Sequence, residues 1–160
     1  MKIFVLLLLM SSLSARDIKA NIPFPTLGGR LFWSDIQVQA DWRIQQHVWT
    51  GHYRLLAPNN IRYCWGSREN CQAELPVKED ADVQKPLVLL IHGLGRTRNS
   101  MKWLQRKLRE SGYRAETYSS SSLLEPLERI SPKLKHVIEH LDGPVYVITH
   151  SLGGILIRQF

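Results

Sequence analysis

The stretch VYVITHSLGGILIRQF, residues 145–160, places a serine between two apolar segments. VYVIT is rich in β-branched side chains and predicts a strand, whereas the apolar residues from Leu152 onward predict a helix. Ser151 lies at the junction and is followed by Gly153 and Gly154. The pattern raises the question whether Ser151 is a nucleophile and where the remaining catalytic groups would lie.

Upstream segments repeat the strand and helix alternation. LVLLI follows Pro86 and predicts a strand buried on both faces, and HGLGRTRNS predicts a loop. Ser100 is the predicted N-cap of a helix that Gly112 ends, and YRAETYS predicts the second strand. A further helix up to Gly143 contains Pro132, which we expect either to kink the helix or to begin its main part. This alternation predicts a parallel sheet whose active-site residues gather at the carboxyl ends of the strands.

The chain divides into three predicted regions. Residues 1–15, MKIFVLLLLMSSLSA, have a lysine, a short apolar core and small residues, which predicts a cleavable signal peptide and export to the periplasm or the extracellular space. Residues 16–40 contain prolines and glycines and predict an irregular segment. Residues 41–160 form the predicted domain, and its first part, up to about residue 75, predicts two or three antiparallel strands.

The two cysteines lie in CWGSRENC, residues 64–71. In an oxidising compartment Cys64 and Cys71 are predicted to form a local disulfide, and two unpaired thiols are the alternative. Their spacing fits no zinc-binding pattern, so we expect no metal at this position.

The composition is that of a globular protein, with 44% hydrophobic and 22% charged residues among 160. The net charge of +7 permits peripheral contact with an anionic membrane surface. The simpler explanation of this charge is that it only keeps the protein soluble. The basic residues are scattered and no nucleic-acid-binding motif accompanies them, so we expect no nucleic acid partner. Nothing in the sequence indicates a protein partner.

A serine at a strand-to-helix turn has a specific chemical use. The sharp turn presents the hydroxyl above the sheet, and Gly153 lets the helix lie close to the strand. The Leu152 N–H, at the start of the helix, is a candidate donor to a developing oxyanion. A plain turn or a phosphate-binding loop is the alternative, but neither the Walker pattern nor the dinucleotide-binding fingerprint is present.

IHGLG, residues 91–95, together with THSLGG, residues 149–154, resembles the lipase and esterase branch of the α/β-hydrolase superfamily. The resemblance covers residues 86–160 and implies the N-terminal portion of that fold: antiparallel strands followed by a parallel β-α-β-α-β-α unit, with an incomplete sheet. It implies a serine hydrolase that acts on lipid or acyl esters through an acyl-enzyme, without a cofactor. Ser151 would be the nucleophile, and the backbone N–H groups of Leu94 and Leu152 would bind the oxyanion. The remaining motif residues would shape the elbow and the oxyanion loop: His92, Gly93, Gly95, Thr149, His150, Gly153 and Gly154.

The sequence departs from the family pattern in two ways. Thr149 occupies a position where the elbow usually has glycine, and we expect it to be tolerated with less steric room. The family places an acid and then a histidine after the serine, but LGGILIRQF contains neither. We therefore expect the acid and the base of the triad to be absent and the chain to be an N-terminal fragment. When this chain is produced alone, we expect low activity and low solubility.

The histidines present do not replace the missing base. We interpret His150 as a structural residue, His92 as a brace of the oxyanion loop, and His47 and His52 as ordinary sheet residues. His136 and His140 have the helical spacing of a metal-binding pair, but a solvated helix face is the expected reading. A thioesterase or acyltransferase of the same fold, and a non-catalytic binding member, remain as alternative functions.

Overall fold

The protein is seen in a computed structural model that describes residues 31–77 and 85–160. The predicted signal peptide, residues 1–15, lies outside the described residues. The strands are β1 (Trp33–Gln39), β2 (Trp42–His47), β3 (Tyr53–Leu56), β4 (Arg62–Gly66), β5 (Leu87–Ile91), β6 (Arg114–Tyr118) and β7 (Val145–Thr149). The helices are α1 (Arg68–Ala73), α2 (Lys102–Glu110), α3 (Leu127–Glu139) and α4 (Leu152–Ile157), and a 3₁₀ turn (Arg98–Met101) precedes α2.

The strands form two sheets in a mixed α/β arrangement. An antiparallel sheet has the order β1-β2-β3-β4, and a parallel sheet has the order β6-β5-β7. The predicted parallel unit is confirmed, with β5 as the central strand of its sheet. The antiparallel strands predicted between residues 41 and about 75 are confirmed as three, β2, β3 and β4, and β1 adds a fourth strand from the segment before them.

The parallel sheet is covered on both faces. Leu89 and Ile91 face a core that includes Leu134 of α3 and Leu156 of α4. Val88 and Leu90 of β5 face the opposite way, into a second core that packs against α2. All five residues of β5 are buried, as the aliphatic run LVLLI predicts.

The first strand corrects the sequence interpretation of residues 16–40. β1 occupies Trp33–Gln39, inside the segment that its prolines and glycines mark as irregular. WSDIQVQ buries polar as well as apolar residues, so it lacks the simple alternation of a half-buried strand. The N-cap prediction at Ser100 is also wrong: Thr97 begins the helical segment by accepting a hydrogen bond from the Asn99 N–H.

The cysteine pair lies in the core of the antiparallel sheet, between β4 and α1. The N-cap of α1 is Ser67, which accepts from the Asn70 N–H and so begins the helix that carries Cys71. The two sulfur atoms, Sγ of Cys64 and Sγ of Cys71, are 2.9 Å apart as buried thiols. The disulfide between them stays a prediction, which the mass of the protein before and after reduction tests.

A buried polar network joins the two sheets. The Arg43 side chain donates to a carboxylate oxygen of Asp35 at 2.5 Å and to the Thr117 carbonyl at 2.6 Å. The other Asp35 oxygen accepts from Gln45 at 2.7 Å, and the Ser119 N–H donates back to Asp35 at 2.7 Å. Asp35 and Arg43 are both fully buried. Since β1 and β2 supply one half and β6 the other, this network fixes the position of the antiparallel sheet against β6.

The outer side of β7 and the helix that follows it carry exposed apolar side chains. Tyr146 is 62%, Ile148 38% and Ile155 51% exposed. The sequence predicts uncovered apolar surface at this strand and helix, and the exposure agrees with that expectation. Within the residues that the structure describes, no helix has the length and apolar character needed to cross a bilayer.

The raised pKa of Glu116 should make the stability of the protein depend on pH. Burial, and then the Asp41 carboxylate, raise the pKa of Glu116 from 4.5 to about 7, although Arg43 and Arg109 oppose the rise. At a pH between the two pKa values, Glu116 is ionised in the unfolded chain but protonated in the folded chain. The free energy of unfolding therefore falls as the pH rises. We expect the Glu116 contribution to decrease by about 2 kcal/mol between about pH 5.5 and pH 7.5.

Replacement of Glu116 by glutamine should remove this part of the pH dependence and stabilise the protein most at the upper pH. Urea unfolding of the two proteins across this range is the measurement. Parallel pH profiles for the variant and the wild type would contradict the assignment.

Candidate active site

Two loops meet at the carboxyl ends of the parallel strands. The loop that follows β5 begins at His92, and the turn that follows β7 contains Ser151. The His150 N–H donates to the Ile91 carbonyl at 3.0 Å, which ties the turn to the end of β5. A Cβ atom on Gly93 would lie 2.7 Å from Nδ1 of His150 and 3.2 Å from Cβ of Ser151. The two glycine-rich motifs are therefore in contact, and Gly93 permits that contact.

Ser151 has a strained backbone. Its φ is 51° and its ψ is −115°, a combination that L-residues rarely adopt. The residue is exposed, and Ser151 Oγ makes no hydrogen bond with any residue in 31–77 or 85–160. The turn therefore holds a serine with an accessible hydroxyl in a conformation that needs support from the surrounding fold.

The glycines after the serine differ in their surroundings. A Cβ on Gly153 would lie 2.9 Å from Cγ2 and 3.0 Å from the carbonyl oxygen of Ile91. The same atom on Gly154 would meet only Oγ1 of Thr149, at 3.4 Å. Helix α4 thus crosses β5 at Gly153, and Thr149 fits because Gly154 leaves room beside it.

Two backbone N–H groups at the site lack protein acceptors. Among the described residues, neither the Leu94 N–H nor the Leu152 N–H donates to a backbone or side-chain oxygen. Leu94 is 58% exposed, and Leu152 is the first residue of α4. Unpaired backbone N–H groups are the kind of donor that an oxyanion requires, and these two belong to the residues that follow Gly93 and Ser151.

His92 supports the loop and has no ring nitrogen available for Ser151. The Ser120 N–H donates to Nε2 of His92 at 3.0 Å, so Nε2 is an acceptor and the proton lies on Nδ1. Nδ1 is 2.8 Å from the Gly93 carbonyl oxygen, to which it donates. Burial lowers the pKa of His92, although the Gly93 carbonyl and Asp35 oppose the shift, and this keeps the ring neutral.

A serine residue that the sequence analysis did not single out also holds the loop. Ser122 Oγ accepts a hydrogen bond from the Gly95 N–H at 3.0 Å, and Gly95 has a positive φ of 66°. Ser122 belongs to the run SSSS, residues 119–122, directly after β6. Because β6 is parallel to β5, the residues that directly follow β6 lie at the same end of the sheet as the loop after β5. The position of this serine run directly after a predicted strand was therefore the sequence signal for a role of Ser122 at the site.

The other histidines are placed elsewhere. His47 and His52 stack at the β2–β3 turn, with ring centroids 5.3 Å apart. His136 and His140 of α3 have ring centroids 3.9 Å apart, and Nε2 of His136 is 2.5 Å from the Arg68 side chain. His150 adjoins the serine, with its ring over Gly93.

In the described part of the chain, no group of three or more histidine, cysteine, aspartate and glutamate side chains is arranged to hold a metal ion. No protein-family model, curated protein or solved structure matches this chain. The interpretation of the site therefore rests on its own geometry.

Proposed function

We propose that Ser151 is the nucleophile of an exported serine hydrolase of the lipase or carboxylesterase type. The observation that carries the proposal is the backbone of Ser151, with φ 51° and ψ −115° between the partly exposed parallel strand β7 and the helix α4. The nucleophile elbow of α/β-hydrolases is a strained strand-to-helix turn of the same kind, which supports the proposal. In the sheet order β6-β5-β7 the strands β5 and β7 are neighbours, so this turn lies beside the loop after β5, which also supports the proposal.

The proposed chemistry uses two backbone donors. Ser151 Oγ attacks the carbonyl carbon of an acyl ester, the alcohol leaves, and an acyl-enzyme forms. The N–H groups of Leu94 and Leu152 stabilise the negative charge that develops on the carbonyl oxygen. The contact of Gly93 with the elbow and the hydrogen bonds of His92 and Ser122 keep the first of these donors in place.

The proposal also accounts for what the site lacks. All six histidines of the sequence lie in described residues, and none hydrogen-bonds to Ser151. In serine proteases, loss of the triad leaves a residual acceleration of about 10³–10⁴ that comes from the oxyanion hole and binding. We therefore expect the 160 residues to form an acyl-enzyme slowly and to hydrolyse it slowly.

Because no histidine of the described residues hydrogen-bonds to Ser151, a second function is supported as well, that of a non-catalytic member that binds acyl esters in the same site. Under both functions we propose that the ligand is a lipid or acyl ester, that the protein is exported, and that no cofactor takes part. A thioesterase or acyltransferase would use the same residues and differ in the acyl donor or in the acceptor.

Acyl transfer to Ser151 separates the two functions. The protein is incubated with p-nitrophenyl butyrate and digested, and the peptides are mapped by mass spectrometry. We expect a butyryl group on Ser151, accumulating because deacylation is slow, and no such group in Ser151→Ala. An unmodified Ser151 under conditions that acylate exposed lysines would contradict the proposal and favour the binding function. Addition of an alcohol acceptor then distinguishes ester formation from hydrolysis.

A further inference from the structure

Two histidines face each other at the turn between β2 and β3. The rings of His47 and His52 are stacked, with centroids 5.3 Å apart and planes inclined by 8°. Oγ1 of Thr50, a residue of the same turn, lies 2.9 Å from Nδ1 of His47 and 2.5 Å from Nδ1 of His52. One hydroxyl group therefore joins the two rings.

The hydrogen bonds of the turn fix the protonation state of His47. The backbone N–H groups of Thr50 and Trp49 point at Nδ1 of His47, at 3.2 and 3.4 Å respectively. An N–H group can only donate, so this nitrogen carries no proton and the ring is neutral. The Thr50 hydroxyl then donates to the same nitrogen, and its oxygen accepts from Nδ1 of His52. A proton on Nδ1 of His47 would deprive all three donors of their acceptor.

His52 resists a second proton for a different reason. Its Nδ1 already carries the proton that Thr50 accepts, so a further proton would have to bind at Nε2. Among the described residues, Nε2 of His52 is buried and has no hydrogen-bond partner. A protonated ring would therefore place a buried N–H group there without an acceptor, which is unfavourable.

The neighbours of the two rings also oppose protonation. Burial lowers the pKa of His47, and Arg54 of β3 lowers it further. Burial likewise lowers the pKa of His52, and His47, Arg54 and Arg62 of β4 act in the same direction. From β1 the uncharged ring of Trp33 packs edge-on against both histidines. No carboxylate in the described part of the chain offsets these shifts, so both rings favour the neutral form in the folded protein.

We propose that acidification opens the β2–β3 turn, residues 47–52, and that the stacked histidine pair is its proton sensor. Two charged rings 5.3 Å apart would repel each other, and His47 would no longer accept from the N–H groups of the turn. The closed turn is fully favoured above pH 6.5, the ordinary pKa of histidine. It is lost as the pH falls through the lower pKa values of the folded protein, because the opened turn then binds more protons.

The turn is connected to the segment that precedes β1. The Val48 N–H donates to the Phe32 carbonyl at 2.9 Å, and the rings of Trp49 and Phe32 pack edge-on with centroids 4.8 Å apart. The neighbouring Leu31 carbonyl accepts from the hydroxyl of Ser121, in the serine run beside the candidate active site. Opening of the turn would release Phe32 and loosen this connection. The proposal does not depend on the reactivity of Ser151.

Hydrogen–deuterium exchange of the whole chain, resolved by peptide mapping at about pH 7.5 and about pH 5, tests the proposal. After correction for the intrinsic pH dependence of exchange, we expect the protection of residues 47–52 to fall at least about threefold at the lower pH, and that of β5 not to fall. A local measurement is needed because protonation of Glu116 favours the folded protein at the same lower pH. Unchanged protection of residues 47–52 would overturn the proposal.

The decisive variant is His47→Asn/His52→Asn. An asparagine side chain at position 47 can accept from the same backbone N–H groups, as in an Asx turn, and it does not titrate. We expect this variant to protect the turn equally at both pH values. The matched control is His136→Asn/His140→Asn, which removes the histidine pair of α3 and should leave the pH response of the turn unchanged. A wild-type pH response in the first variant would overturn the proposal.

A measurement on the unsubstituted protein covers the case in which the double variant does not fold. Exchange at the C2 positions of the histidine rings, followed over pH by the same peptide mapping, gives the pKa of each ring. We expect the pKa values of His47 and His52 to lie below 6.5. Values at or above 6.5 would contradict a sensor that is held neutral by the closed turn.

Discussion

Replacement of Gly153 by alanine is expected to destabilise the protein by about 3 kcal/mol, whereas the same replacement at Gly154 is not. The new Cβ at position 153 would lie 2.9, 3.0 and 3.2 Å from three atoms of Ile91, one of which is the backbone carbonyl oxygen. Ile91 is fully buried in the central strand β5, so it has little freedom to move away. Helix α4 must shift, and the elbow at Ser151 shifts with it.

Gly154→Ala is the matched control, because it adds the same methyl group to the next residue of the same helix. Its Cβ would contact only Thr149 Oγ1 at 3.4 Å, and alanine favours a helix over glycine by about 1 kcal/mol. Urea unfolding of the two variants is the measurement. Equal stabilities would contradict the close crossing of α4 and β5 on which the proposed active site depends.

Replacement of Asp35 by asparagine is expected to cost about 3–5 kcal/mol, although the side chain keeps its shape. Asp35 accepts from Arg43, Gln45 and the Ser119 N–H, and an amide can direct only one oxygen at these three donors. The Arg43 charge, fully buried, would also lose its nearest carboxylate. The hydrogen bond from the Ser119 N–H, which joins β1 to the residue after β6, would weaken as well.

An exposed ion pair provides the control for this prediction. Glu139 is 3.9 Å from Lys135 on α3, and Glu139→Gln should change stability by no more than about 0.5 kcal/mol. The double variant Asp35→Leu/Arg43→Met should lose less than the sum of its single variants, because the unpaired charge is removed with its partner. Additive losses, or a small effect of Asp35→Asn alone, would show that the network is not what joins the sheets.

The parallel part of the fold could be predicted because its signals are local. LVLLI and VYVIT are short apolar runs that lead directly into glycine-containing motifs, and the buried positions Ile130, Leu134 and Val137 of α3 keep a helical spacing. The positions of the two motifs at one end of the sheet follow from the parallel topology alone. These inferences needed no knowledge of distant contacts.

The parts that could not be predicted depend on contacts between residues far apart in the sequence. β1 buries Asp35 because Arg43, Gln45 and Ser119 satisfy its oxygens, and nothing in WSDIQVQ indicates those partners. The role of Ser122 depends likewise on Gly95, which lies 27 residues away. Sequence periodicity detects apolar faces, but it does not detect a buried polar group whose partners are distant.

The central proposal is that Ser151 is a nucleophile that uses the Leu94 and Leu152 N–H groups as oxyanion donors and has no histidine base among the described residues. The most direct test is the rate of labelling by a fluorophosphonate, measured serine by serine through peptide mapping, with and without added imidazole. Ser100 and Ser111 are exposed as Ser151 is, and serve as references within the same sample. We expect Ser151 to react at least about a hundredfold faster than either reference, since a single oxyanion donor contributes that much, and to react faster still with imidazole as external base. Labelling of Ser151 at the rate of Ser100 and Ser111, with no response to imidazole, would contradict the account.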